Sequence, residues 1–542
     1  MSTLEPRPPY SEAEIKNLYP PQLRLQLVQI LLRHGERTPI TARFTSTGLA
    51  PFWPYCSAAR RLTSVILDPS ATDTHVDPAD NPGLTALEWK RRLETFGPDD
   101  APILATGRNG ELDAICDMGM LTDRGRETTY NLGQRLRHLY VDQLRFLPEK
   151  LAFDTDTAAI YLRATPIPRA LESLQQAFYG LYPPSARASG LHPPTILTRS
   201  PADETLFPND GNCRRFAALA RAFAQRCADR WNDSDEMAYL TKRLGRWMPE
   251  EHPHVAVDSR PRLSGIMDTI NATKAHGQAT RLPKEFYDRE VKRIIEKIGV
   301  EEWYAGYKES EEYRTLGIGG LLGDVVSRMV GSAERSTADG EYELTLNKKV
   351  SATTPQPVRF GMSGCHDTTL AATLASLGAF NEEAWPPFTS HVAIELFRHV
   401  NAGATPPPVA PKPTSFLSFF GLGSKGASHA GLPPPGIGRK KTPDLTENEK
   451  ERLKGYYVRL RYNDRPVTIP GCAPTGKHLD GDESFCTLVR SNNLLLTNSG
   501  IKTGVEAFKE IVDKFTPINW KQQCRANIKD PAFPSKPEPS GY

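Results

Sequence analysis

Residues 23–32, LRLQLVQILL, alternate at first and then become apolar on both faces, the pattern of a central strand covered by helices. The polar run RHGERTP follows at once. Open α/β sheets bind ligands at the carboxyl ends of such strands. Thr129, Leu132, Leu136 and Leu139 fall on one helical face. The segment 158–164, AAIYLRA, reads as a strand, and Leu171, Leu174 and Phe178 after Pro168 trace a second helical stripe. Helical patterns return at 216–245 and in part of 284–309. VRFGMSGCHD is a further strand running into a loop, followed by the stripe Leu370, Leu374 and Leu377; residues 391–398 and 456–462 complete the strands.

The pattern predicts an α/β fold: a central mostly parallel sheet flanked by helices, with a mainly helical cap subdomain. One domain is expected over 20–535, its core about 20–180 and 350–535 and its cap about 181–345. Between 68 and 110 Pro, Asp and Gly predict an irregular excursion with at most a short helix around Leu84–Leu93. The Pro-, Gly- and Ser-rich stretch over 402–450 predicts a disordered insertion between two strands, carrying the apolar patch Phe416-Leu-Ser-Phe-Phe420.

Composition narrows the function. Against 67 Lys and Arg stand 64 Asp and Glu, so the charge of +3 gives no reason to expect a nucleic-acid partner. The first 25 residues lack the apolar stretch of a secretory signal, and no span approaches the roughly 20 apolar residues that cross a bilayer. A cytoplasmic location is expected, with a mitochondrial one as the alternative. The eight cysteines lack paired metal-ligand spacings, so buried free thiols are expected and no metal site is indicated.

Two clusters carry candidate chemistry. In Arg33-His34-Gly35-Glu36-Arg37 two arginines flank a histidine, a set suited to gripping an oxyanion, although His34 alone could be a structural core residue. In Gly364-Cys365-His366-Asp367, Asp367 could be a helix cap or an acid, and His366 could add a donor to an anion near the helix start. Brought together, the clusters supply a nucleophile, an anion clamp and a proton donor without a metal.

Arg33 to Pro39 matches RHGxRxP, the signature of the histidine acid phosphatases in branch 2 of the histidine phosphatase superfamily, whose fold is phosphoglycerate mutase-like. Leu121-Thr-Asp-Arg-Gly125 resembles that family's LTxxG segment. Arg163-Ala-Thr165 followed by Arg169 resembles its RSTDxxR element, with Pro166 in place of the Asp. Gly364 to Asp367 resembles its His-Asp motif, and Glu204-Thr-Leu206 lies between. The resemblance implies that His34 accepts the phosphoryl group as a phosphohistidine. It implies that Arg33, Arg37, Arg163 and His366 hold the phosphoryl oxygens and that Asp367 protonates the departing alcohol, with no cofactor or metal.

The expected partner is a small phosphorylated substrate such as lysophosphatidate, with transient contact to a lipid surface. Inositol phosphates are the alternative substrate, for which Lys274, Arg281 and Lys284 are candidate extra cations. A noncatalytic phosphate-binding scaffold is the competing class. The resemblance also admits a Cys472–Cys486 disulfide as a minority reading, and oligomeric state is left open.

Overall fold

The computed structural model describes residues 8–68, 83–334, 358–380, 384–402, 436–489 and 507–542. Its first strand, β1 (Leu23–Arg33), is buried over its last seven residues. Along the chain follow β2 (Leu62–Leu67), β3 (Leu84–Trp89), α1 (Asp123–Arg137), β4 (Ile160–Ala164), α2 (Pro168–Leu181) and β5 (Ile196–Leu197). Five helices come next: α3 (Arg214–Trp231), α4 (Asp235–Leu244), α5 (Leu263–Ala275), α6 (Arg289–Glu309) and α7 (Gly320–Glu334). The last elements needed here are β6 (Phe360–Cys365), α8 (Asp367–Ser376), β7 (His391–His399), β8 (Tyr456–Tyr462) and β9 (Asp482–Thr487).

Within the nine-stranded main sheet the strands named above stand in the order β9, β8, β7, β1, β6, β4, β5. Its centre is parallel: β6 lies between β1 and β4, and β5 flanks β4. β7 and β8 join as antiparallel neighbours on the other side of β1. The apolar faces of β1 diverge as its pattern requires. Leu27 and Leu31 pack with α7 and α8 through Leu321, Val325 and Leu370, whereas Val28, Ile30 and Leu32 pack with α1 and α2 through Leu132 and Leu174. Among the described residues no helix is long and apolar enough to cross a membrane.

The cap has its own core, in which Phe44 and Trp53 meet Leu240 of α4, Ile266 of α5 and Ile294 of α6. Tyr304 and Tyr307, farther along α6, belong instead to the core beneath the sheet.

Three expectations need correction. Leu84–Trp89 is a strand rather than a helix, because it pairs along its length with the β-branched run of β2. The described part of the expected insertion, 436–450, carries short helical turns with Ile437, Thr442 and Leu445 buried; the apolar patch at 416–420 lies outside the described residues. Six of the eight cysteines form disulfides, Cys56–Cys116, Cys213–Cys524 and Cys472–Cys486, leaving Cys227 and Cys365 as buried free thiols. Two of these pairs join positions 60 and 311 residues apart, a proximity created by the fold and invisible in local spacing.

Cys213 immediately precedes α3, so its bond to Cys524 fastens the C-terminal segment to the cap. Cys524→Ser is expected to lower stability by about 2–4 kcal/mol in urea unfolding. Equal midpoints for the two proteins under non-reducing conditions would refute that role.

Candidate active site

Three parallel strands end side by side, and their register assembles the site. Arg33 is level with Cys365 across β1 and β6, and Ala164 is level with Gly364 across β4 and β6. The residues just beyond these ends are therefore neighbours: His34 after β1, Thr165 after β4, and His366 with Asp367 where β6 turns into α8. The His34 and His366 rings stand edge to face with centroids 5.5 Å apart. The loop after β1 is seated on α1 by a backbone contact that admits no side chain. A Cβ on Gly35 would lie 2.3 Å from the Gly125 carbonyl oxygen, and one on Gly125 would lie 2.2 Å from that of Glu36. Thr122 caps α1 and its hydroxyl donates to the Glu36 carbonyl, which gives the Leu121–Gly125 segment its purpose.

His34 is 1% exposed, and its Nδ1 is 2.9 Å from the Gly35 carbonyl oxygen. A carbonyl can only accept, so Nδ1 carries the proton and Nε2 keeps its lone pair. Burial, then the charges of Arg169, Arg33 and Arg37, hold the His34 pKa well below the ordinary imidazole value. The same influences lower His366 to about 3, with its Nε2 3.1 Å from the Thr165 hydroxyl. Both shifts favour the neutral rings.

Arg33 Nη2 pairs with Asp367 Oδ2 at 2.7 Å, and the Trp385 indole N–H donates to the same oxygen at 3.0 Å. Burial pushes the Asp367 pKa up, but Arg33 and Arg37 outweigh it and leave the carboxyl below its usual range. Arg37 Nη1 pairs with Asp268 of α5 at 2.7 Å. Phe388 lies beneath both arginines, 4.2 Å from the Arg33 guanidinium carbon and 5.6 Å from that of Arg37. These groups line a cleft of about 660 Å³ together with Arg169. Arg33, Arg37 and Arg169 each leave a buried Nε–H without a hydrogen-bond acceptor among the described residues.

The sequence pattern of the histidine phosphatase superfamily (branch 2) matches residues 24–463. The chain belongs to that family. A Schizosaccharomyces pombe protein named "probable acid phosphatase" is 34% identical over 94% of this chain and 95% of its own. Lysophosphatidic acid phosphatase type 6 of Homo sapiens is 25% identical over 70% of this chain and 75% of its own. Among solved structures, a Hafnia alvei phytase in complex with tartrate superposes with a TM-score of 0.46 and 12% identity, covering 86% of this chain and 95% of that one. Like the family's named acid phosphatases, this branch 2 member is a phosphomonoester hydrolase.

Of the six residues singled out from sequence, the structure brings Arg33, His34, Arg37, His366 and Asp367 into the cleft. Arg163 is placed elsewhere. Buried below the strand end, it gives Nη2 to Glu204 at 2.5 Å and faces Asp324 at 3.6 Å. Glu204 also accepts the backbone N–H groups of Thr205 and Leu206, and the Leu206 carbonyl takes the Thr369 hydroxyl of α8. Arg163 thus braces the start of α8 instead of lining the cleft. The arginine that joins Arg33 and Arg37 beside the two histidine rings is Arg169, six residues on, in the first turn of α2; Arg43, Arg260 and Arg262 line the cleft farther out. The Arg169 of the RSTDxxR-like element was the available signal. Asp268, Trp385 and Phe388 carried no motif.

Arg169→Ala is expected to cut kcat/KM on an aryl phosphate by about 10²-fold, the scale of one lost charge-assisted anion contact. Arg163→Ala instead breaks a fully buried ion pair and is expected to cost about 3–5 kcal/mol of stability. Parallel kinetics and urea unfolding check both; the reverse assignment of losses would return Arg163 to the phosphate site.

Proposed function

We propose that this phosphatase hydrolyses its substrate through a phosphohistidine on His34. The observation carrying this reading is a neutral histidine with its Nε2 lone pair available, ringed by three arginines that each hold a buried, unaccepted N–H. In the first step His34 Nε2 bonds to phosphorus as the bond to the ester oxygen breaks, and Asp367 gives that oxygen its proton. A monoanionic ester supplies the proton that Asp367 lacks in the empty site, because the approaching phosphoryl charge offsets Arg33 and raises the carboxyl's affinity for it. Water then attacks the phosphohistidine, Asp367 takes the water's proton, and His34 returns to its neutral form as phosphate departs.

For the substrate we favour lysophosphatidate or another small phosphate ester with an apolar leaving group. Phe207, Phe216, Trp303, Tyr304 and Tyr307 line the cleft and offer hydrocarbon an aromatic wall, although Arg43, Arg260 and Arg262 share that lining. A second reading, inositol phosphates, is favoured by Lys274, which with Lys292 lines a smaller groove of about 210 Å³ reaching Arg33. Arg281 instead stacks on Tyr287, and neither it nor Lys284 lines the cleft or that groove. Relative kcat/KM on lysophosphatidate and inositol hexakisphosphate decides between the two. A noncatalytic scaffold finds no support in an intact nucleophile, clamp and acid. For location we keep the cytoplasm as the proposal and the mitochondrion as its alternative. The reducing cytosol would hold the six paired cysteines as thiols, and thiol alkylation of protein taken directly from cells distinguishes the two states.

His34→Ala is expected to abolish phosphate release, and rapid quenching of the wild type should trap a phosphoenzyme that the variant lacks. Asp367→Asn should slow an alkyl phosphate by about 10²- to 10⁴-fold and p-nitrophenyl phosphate much less, since a nitrophenolate leaves with little protonation. Because the depressed His34 pKa keeps its lone pair in acid, wild-type turnover should persist at pH values where an ordinary histidine is protonated. An acid limb at the ordinary imidazole pKa, or equal losses on both esters, would contradict the scheme.

A further inference from the structure

Asp268 is a carboxylate inside an anion-binding cleft, and no step of the proposed reaction uses it. It stands on α5, on the cap side of the site, and ties three groups of the loop after β1. Arg37 Nη1 donates to Oδ1 at 2.7 Å, the Ile40 backbone N–H donates to Oδ2 at 3.0 Å, and Arg43 Nη1 reaches Oδ2 at 3.4 Å. Arg37 Nη1 also donates to the Thr38 carbonyl at 3.0 Å, so that one corner of the guanidinium is fixed while its Nε–H is left unaccepted. The carboxylate's field extends past Arg37 to Arg33 and Arg169 as well. Gly265, one turn earlier on α5, lets Arg43 lie against the helix: a Cβ there would stand 2.9 Å from Arg43 Nε.

A clamp of three guanidiniums binds inorganic phosphate as readily as it binds the ester, and a product held too firmly stops turnover. Asp367 cannot supply a steady opposing charge, because its proton comes and goes with each cycle. Asp268 can, since its two oxygens are held by Arg37, Arg43 and a backbone N–H. We propose that Asp268 is a positioning residue that fixes Arg37 and, by its charge, loosens the site's hold on inorganic phosphate so that product leaves. This rests on the phosphatase reading of the same site.

The test uses the full chain with p-nitrophenyl phosphate as substrate and orthophosphate as inhibitor. Asp268→Asn keeps the shape and removes the charge. It is expected to lower the orthophosphate Ki about tenfold, with KM and kcat falling together as release becomes limiting. Asp268→Glu, which keeps the charge, should hold Ki close to the wild-type value. Gly265→Ala displaces Arg43 and leaves more of the Asp268 charge uncompensated, so Ki should rise about threefold. A merely structural role predicts a higher KM and a higher Ki for Asp268→Asn, and that result, or an unchanged Ki, overturns the proposal. If Asp268→Asn does not fold, Gly265→Ala decides, and an unchanged or lowered Ki there is the refuting result. A wild type that releases no nitrophenol sinks the phosphatase reading itself, whereas turnover with indifferent Ki values sinks only the role of Asp268.

Discussion

The site depends on holding several guanidinium groups together out of water while leaving them able to take an anion. Burial opposes the charge on Arg33 and, with the neighbouring Arg37, lowers Arg169 to about 10. Unrelieved, such crowding would either expel the arginines or keep an anion permanently in place. The chain relieves each one differently. Arg33 has Asp367 and the face of Phe388, Arg37 has Asp268, and Arg163 is drawn away by Glu204. Arg169 has no carboxylate within ion-pair distance among the described residues, and of the charges on His34 and His366 its own weighs most.

That distribution sets the order of chemical events. In the proposed reaction a protonated His34 could not attack phosphorus, and burial together with the positive surroundings favours its neutral form in acid solution, where the ester carries a proton. Arg33 and Arg37 also favour the ionised form of Asp367, so in the proposed reaction the acid is armed by its own substrate. A free-standing histidine would be charged over this range. On that reading the arginine cluster governs reactivity as well as binding, and the end of β1 with the loop after it carries both the proposed nucleophile and two of the charges that tune it.

Much of this was legible in the chain. The doubly apolar run before RHG suits a central strand better than a half-exposed edge, and β1 with its two apolar faces is that strand. Parallel neighbours then had to bring RHG and the His-Asp pair to the same sheet end, as the level positions of Arg33 and Cys365 do. What escaped were features decided by direction and by distant partners. Whether Arg163 or Arg169 entered the cleft turned on which of a strand end and a helix start faced it, and on an unforeseen acid at Glu204. The disulfides, the β2–β3 hairpin and the Asp268 tie each join segments whose local sequence gives no sign of the other.

The cap is built into the catalytic unit by more than contact. α6 is one unbroken helix of 21 residues. Its first half buries Ile294, Ile295 and Ile298 in the cap core, and its second half buries Tyr304 and Tyr307 in the core beneath the sheet. A cap hinged as a lid would have to bend that helix or pull its aromatic half out of the sheet's core, and packed cores shift between discrete arrangements rather than stretch. Trp303, Tyr304 and Tyr307 of the cleft's aromatic wall are for this reason preformed, held by a helix anchored in both cores. On the proposed function, substrate choice then depends on the fit of the leaving group into an existing chamber. The long stretch of chain between His34 and His366 supplies both sides of that chamber, Met267 of α5 from the cap core and Tyr304 and Tyr307 of α6 from the core beneath the sheet.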